Sequence, residues 1–505
     1  MTRIVIAFVA WFALIGVVAG PPEAVAAEAL RITMPAIPKN LDPHRDPAGQ
    51  MLPVYRLAFE GLTKPDESGR PVPVLAESWK LLNDTTWQFT LRKGVKFHDG
   101  EPFNAEVVKW NIDRAQDPKN SVYAARVKPI VAVEIVNEHT VTLRTRQPFA
   151  SLIGNLMAVL MLPPQYYQKV GPQGFTTAPV GTGPFRVVRF TPDAEVRMER
   201  HDGYWGSKPG LAGVTFRMLP ETATRIAALQ AGDVDVAYHV PPENIEQVKA
   251  AGLNVFPVHI GQAYLFVLAQ PKTTIEPLKN KLVRQAINYA VDKDAIIKAF
   301  TKGMARKLEG QVVGPDGFGY TGKVKAYPYD VAKARALLKE AGYPNGFKVK
   351  MSGTNERYPQ DKEISQAVAQ YLRQVGIEVE LNLLEANAWT DRFLKFKLDP
   401  IWIIGVNYLP SMDHTFASVH FTNDPSTRQW FGDATFDELY RKQVTALDVN
   451  ERRAALERFA EYIRDQAPAL FLHQIPLVIA ASPKVKGLKF QADYTVDLTQ
   501  VQIGR

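Results

Sequence analysis

A chain of 505 residues is too long for one ordinary core, so two or three structural units are expected. A composition 46% hydrophobic and 22% charged is globular and excludes a disordered polymer, and the absence of cysteine excludes disulfides, thiolate metal sites, a cysteine nucleophile and a lipid-attached N-terminal cysteine. The net charge of +8 comes from 60 basic against 52 acidic residues with the signs interspersed, which argues for a soluble surface of modest positive bias and against a nucleic-acid partner.

Residues 1–27 read as a secretory signal segment. Arg3 supplies the positive start, Ile4 to Val18 the apolar run, and Ala24 to Ala27 the small residues for cleavage after Ala26 or Ala27. That run is short for a bilayer span, so a soluble mature protein is expected. Leu30 to Met34 reads as an edge strand broken by Pro35 and Pro38, leading into the loop Asn40-Leu41-Asp42-Pro43-His44. Trp87, Phe89 and Leu91 alternate with Gln88, Thr90 and Arg92, the period of a half-buried strand between turn residues. Asn104 is placed to cap a helix with the apolar stripe Val107, Val108 and Ile112. Asp117 to Val127 is a polar connection carrying Tyr123, and Pro148 to Tyr167 is expected to form a helix with a return toward the first domain.

Val180-Gly181-Thr182-Gly183-Pro184-Phe185 is a glycine-rich turn before a strand; no lysine or helix follows, so it is not read as a phosphate cradle. Thr222 to Gln230 has helical periodicity stopped at Gly232. Ala263 to Ala269 is apolar on both faces, as a strand crossing between domains must be. Gly317 to Lys323 has the spacing of a P-loop, but Val324 stands where a magnesium-binding hydroxyl belongs and no apolar strand precedes it, so an exposed loop is expected. Phe347 to Met351, the helix Lys362 to Val375 and the strand Glu378 to Leu383 form a strand, helix, strand unit suited to parallel pairing. Ile401 to Val406 should be a buried strand ending at polar residues, where sheet ends commonly present ligand contacts. Ala469 to His473 and Pro476 to Ile479 are apolar enough for a return crossing.

Leu75-Ala76-Glu77-Ser78-Trp79 and Leu91 to Phe103 (LRKGVKFHDGEPF) resemble the signature of the extracellular solute-binding proteins, family 5, that serve dipeptide, oligopeptide and nickel ABC importers. The resemblance extends to Val180 to Phe185, His201 to Gly206, Ala231 to Asp235, the helix of Val283 to Ile287, and Val485 to Leu488. It implies an α/β, two-lobed periplasmic binding protein type 2-like fold with an extra subdomain on the first lobe and two inter-lobe crossings. The bounds it suggests are 28–62, 183–262 and 473–505 for the first lobe, 63–182 for the subdomain and 263–472 for the second lobe. It further implies a monomer in the periplasm that binds a small or peptide-like solute and delivers it to an inner-membrane ABC permease, with no cofactor and no catalysis.

The same resemblance supplies ligand-binding candidates: His44, Tyr123, Ile404, Gly405, Asn407 and Tyr408. His44 is either a ligand contact or an exposed loop histidine, and Tyr123 either faces the cleft or simply packs. Peptide-binding relatives carry Trp-x-x-Asp-Tyr where this chain has Ile404 and Asn407 before Tyr408, and their aspartate pairs with the peptide's amino group. An amide cannot give an ammonium that charge-assisted bond, worth roughly 1.5 to 3 kcal/mol, so recognition of ordinary free-amine peptides is not expected. Two rival classes remain. Met412, His414 and His420 raise a nickel- or metal-chelate-binding alternative; separately, Asp413 is the residue that could take over the ammonium contact of a free-amine peptide in place of Asn407. A secreted hydrolase is disfavoured because G-x-S-x-G and H-E-x-x-H are both missing.

Overall fold

The structure is a computed structural model. It describes residues 28–46, 51–67, 69–269, 274–315, 317–355, 357–407, 431–491, 493 and 495–504, without the side chains of 260–262, 394, 407 and 475. The signal segment, Tyr408, Met412, Asp413, His414 and His420 therefore lie outside the described residues.

One eleven-stranded sheet runs through both lobes. Its second-lobe half is built from Ile377–Glu385, Phe347–Asn355 and Ile401–Asn407, all parallel, and its first-lobe half from Val236–Ala237, Ala29–Met34, Gly213–Met218, Glu195–Arg200 and Phe185–Thr191. Between the halves lie two long antiparallel strands, Asn254–Val267 and Ala469–Ala481. Each crosses from lobe to lobe. Residues 254–259 pair with 476–481 in the first lobe and 263–267 with 469–474 in the second, with the register broken between His259 and Ala263. The apolar run that begins at Ala263 is thus only the second-lobe part of its strand; the first-lobe part, with His259 and Pro257, is too polar to announce a crossing.

The first strand corrects an expectation. It is an interior strand, flanked by Gly213–Met218 and Val236–Ala237, and not an edge. Arg31, which gave it a polar look, is held by Asp235 through Nε at 3.0 Å and Nη2 at 2.7 Å.

The subdomain is a four-stranded antiparallel sheet in the order Ala76–Asn83, Thr86–Leu91, Thr140–Thr145, Ile130–Asn137, covered by the helix Ala105–Gln116. Asn104 caps that helix, accepting from Val107 N at 3.2 Å, and its stripe closes a core with Phe89, Leu91, Val141 and Leu143. The segment Pro148 to Tyr167 has the expected helix and return, with Met161 N donating to the Glu60 carbonyl at 2.8 Å. It holds a short helix, Leu152–Leu156, an extended stretch, and then the start of Pro164–Thr177, which Pro164 opens at its first position.

In the second lobe the helices Lys281–Ala290, Val331–Glu340 and Asp361–Gln374 pack on one sheet face, around Phe266, Met351, Ile403 and Leu472. Ala434–Thr445 and Val449–Gln466 cover the other, around Leu265, Trp402, Phe436 and Phe459. Asp330, Asp433 and Asp448 cap three of these helices through their side chains. Lys323, the lysine of the P-loop-like spacing, pairs with Glu457 at 2.6 Å, and among the described residues the next helix after it starts only at Val331.

Candidate functional site

Where the crossing strands pass from lobe to lobe, both lobes contribute walls to a cavity of about 200 Å³. His239, Pro241 and Glu243 come from the first lobe just beyond its short strand Val236–Ala237; Thr301 and Gln360 come from the second; His473 and Pro476 come from the crossing strand. Gln360 Nε2 reaches Glu243 Oε1 at 3.4 Å across the gap. This is where strand ends of a parallel sheet place ligands.

The electrostatics of the cavity are those of neutral imidazoles. Burial lowers His473 to about 3. Burial, then the nearby Arg225 charge, lowers His239 to about 4. Behind His473 stand Tyr264, with ring centroids 5.4 Å apart, and Tyr358, a further 5.3 Å on. The Tyr264 hydroxyl, Thr354 Oγ1 and Trp389 Nε1 are buried without a hydrogen-bond partner among the described residues. Arg357 follows the strand Phe347–Asn355. Its guanidinium lies 4.3 Å over Trp389 and donates from Nη1 to Thr390 Oγ1 at 2.8 Å, with no carboxylate paired to its guanidinium among the described residues.

The ligand candidates named from the sequence fall into two groups. His44 and Tyr123 come together with ring centroids 6.4 Å apart, on the wall between first lobe and subdomain. His44 is not an exposed loop residue: it is fully buried, its Nε2 meets the Leu160 carbonyl at 2.7 Å, and desolvation lowers it to about 3. Burial raises the Tyr123 phenol. Ile404, Gly405 and Asn407 lie on the strand Ile401–Asn407, where Ile404 packs into the second-lobe core. Gly405 stands opposite Tyr264 and Asn407 opposite Gln262, at the irregularity in the crossing strand. Sequence reasoning missed His239, Arg357, Gln360 and His473. An arginine directly after a buried strand was a usable signal for Arg357; a histidine inside an apolar run gave none for His473.

The signature residues serve another place. Glu60 is buried and accepts from the Tyr204 hydroxyl at 2.7 Å, Trp205 Nε1 at 2.8 Å and Thr182 Oγ1 at 2.9 Å; burial raises its carboxyl, and these donors work against that rise. His98 Nε2 meets Gly183 O at 2.9 Å, and the backbones of residues 98 and 181 bond at 2.9 Å. A Cβ on Gly181 would stand 2.0 Å from the Ala58 carbonyl, so the glycines of Val180 to Phe185 allow a close backbone approach.

Comparison with known proteins decides the family. Residues 70–427 match the bacterial extracellular solute-binding proteins, family 5, over that family's middle region. The chain belongs to this family. Members of family 5 serve ABC importers, and the two-lobed fold with its subdomain and paired crossings is the one expected of them. Among curated relatives, the glutathione-binding protein GsiB of Pectobacterium atrosepticum is 36% identical over 354 residues, 69% of this chain and 67% of the relative. Two solved family 5 structures are similar throughout. The periplasmic binding protein DppA of Helicobacter pylori, in complex with peptide STSA, has a TM-score of 0.78 at 25% identity, covering 94% of this chain and 98% of that one. AgaA of A. tumefaciens R10, in complex with agropinic acid, has a TM-score of 0.78 at 26% identity, covering 94% and 99%. No helix among the described residues is long and apolar enough to cross a membrane, and none of their histidine and carboxylate groups cluster to hold a metal.

Proposed function

We propose that this protein captures a small, carboxylate-bearing, peptide-like solute between its lobes in the periplasm and delivers it to an inner-membrane ABC permease without breaking a bond. The observation that carries the reading is Arg357, a guanidinium over Trp389 with no carboxylate partner among the described residues, two residues before Pro359 and Gln360, which line a cavity to which both lobes contribute. A solute carboxylate gains a charge-assisted bond there, worth roughly 1.5 to 3 kcal/mol. The amide of Asn407 in place of a carboxylate points the same way, toward solutes that are neutral or anionic, or whose ammonium is met elsewhere. Relatives named for binding glutathione and agropinic acid support a carboxylate-bearing solute. On this reading the protein is a monomer. The first lobe takes 28–62, 183–262 and 473–505, the subdomain 63–182, and the second lobe 263–472. His44, Tyr123, Ile404, Gly405, Asn407 and Tyr408 stay within the proposed site region.

Calorimetric titration of solute-stripped protein tests this with glutathione, a free dipeptide and the N-acetylated dipeptide. Glutathione is expected to bind, and Arg357→Gln to weaken it by about tenfold, the equivalent of ~1.4 kcal/mol. Tight binding of the free dipeptide with rejection of its acetylated form would defeat the reading, because it would show an ammonium receptor.

A further inference from the structure

Away from the crossing strands, the second lobe also touches the subdomain. Tyr440, Gln443 and Val444 share one face of the helix Ala434–Thr445, being three and four residues apart. That face meets the subdomain: Val444 is counted into its core beside Phe149 and Leu152, and Tyr440 packs against the same core. The Val444 carbonyl accepts from Ala150 N at 2.8 Å. From the next helix, Arg452 donates to Ser151 Oγ at 3.0 Å and to the Ala150 carbonyl at 3.4 Å. Two lobes that move about a pair of strands can hold such contacts only when closed.

Gln443 is out of place in this contact. It is 0% exposed, and neither Nε2 nor Oε1 has a hydrogen-bond partner among the described residues. A buried amide that meets nothing penalises the state that buries it, and parting the lobes at this face returns it to water. The surrounding contacts favour closure while Gln443 opposes it.

We propose that Gln443 and Arg452 form a latch between second lobe and subdomain that sets the open-to-closed ratio, and through it solute affinity, without touching the solute. Arg452 and the Ala150 to Val444 bond hold the latch shut; Gln443 keeps it from holding too firmly, so that solute can leave. The device rests on the proposed capture of solute between lobes only for its purpose, because the ratio is readable with no solute present.

The chain has no cysteine, so a labelled pair can be placed cleanly at the exposed Asp84 of the subdomain and Lys348 of the second lobe. Pulsed dipolar spectroscopy on the solute-stripped full chain then reads the lobe separation. Gln443→Leu, of similar volume but without the amide, is expected to shift the ratio toward the closed distance by roughly tenfold. Arg452→Ala is expected to shift it toward the open distance. Circular dichroism confirms folding, and Ser151→Ala serves as a milder second break should Arg452→Ala not fold. Distance distributions identical to wild type in Gln443→Leu and in the latch-breaking variant would overturn the latch, whatever solute the protein binds.

Discussion

The subdomain makes two joints, and they are built on opposite principles. Against the first lobe it buries charge and pairs it. Asp42 and Arg114 pair at 2.6 Å with both side chains almost wholly buried, Tyr167 completes the triad, and Glu60 of the first lobe accepts from Thr182 Oγ1 of the subdomain at 2.9 Å. Against the second lobe, among the described residues, it meets the Val444 carbonyl through Ala150 N, the Arg452 guanidinium through Ser151 Oγ and the Ala150 carbonyl, and a helix face carrying an amide with no hydrogen-bond partner. A buried pair of opposite charges is costly to break, because removing either partner strands the other. A thin contact carrying an unsatisfied group is cheap to break. The first joint therefore makes subdomain and first lobe one body, and the second lets that body part from the second lobe.

Acid should separate the two joints most strongly. His44 and His98, both at the first joint, are lowered to about 3 and about 4, chiefly by burial. The unfolded chain takes up these protons near pH 6.5 while the folded chain refuses them, so their contribution is complete above pH 6.5 and lost as pH falls toward 4. At pH 4.5 the pair together should have cost about 5 kcal/mol, at ~1.4 kcal/mol per unit and histidine. Denaturant titrations at pH 7 and 4.5 measure this together with the like contributions of His239 and His473, and His98→Gln should remove roughly a quarter of the histidine slope; a flat profile removes the histidines from the account. Asp42→Ala comes next, stranding the Arg114 charge at a cost of roughly 3 to 5 kcal/mol. A loss below about 1 kcal/mol in urea unfolding would show that the joint does not depend on the triad. Gly181→Ala forces a Cβ against the Ala58 carbonyl and should cost about 2 to 3 kcal/mol in the same assay. Arg452→Ala, at the second joint, should change global unfolding by less than about 1 kcal/mol while still shifting lobe separation, since the lobes can part and rehydrate the contact. A loss as large as that of Asp42→Ala would erase the distinction between the joints.

What the sequence reveals follows from how local each cause is. Caps at Asn104, Asp330 and Asp433, and the stop at Gly232, are legible because the signal and its effect lie within four residues. Ala29–Met34 misleads as an edge strand because Arg31 is matched by Asp235, 204 residues away. The crossing strands are half hidden for a related reason: strand polarity is visible, but whether a polar half borders water or another lobe is set by tertiary structure. His44 fails as an exposed loop histidine because the carbonyl that receives it, Leu160, belongs to the subdomain. Of the site, the strand Ile401–Asn407 and its polar end are readable. Arg357 and His473 acquire meaning only once the lobes are brought together, and nothing in an amphipathic helix distinguishes Gln443 from a solvated glutamine.

The interleaving of the first lobe has a consequence for how the chain is made. Its strand Val236–Ala237 pairs with Ala480 and Ala481, and residues 254–259 pair with 476–481, so that half of the sheet is incomplete until the chain is almost fully synthesised. The subdomain sheet, by contrast, closes within residues 76–145. Such long sequence separations make the first lobe the slow element, and the subdomain is expected to be protease-resistant first during synthesis. A nascent chain stopped before Ala469 should yield a protected subdomain and a digestible first lobe. That delay leaves much of the polypeptide uncommitted while it emerges, the condition in which a chain can still be threaded through a narrow pore.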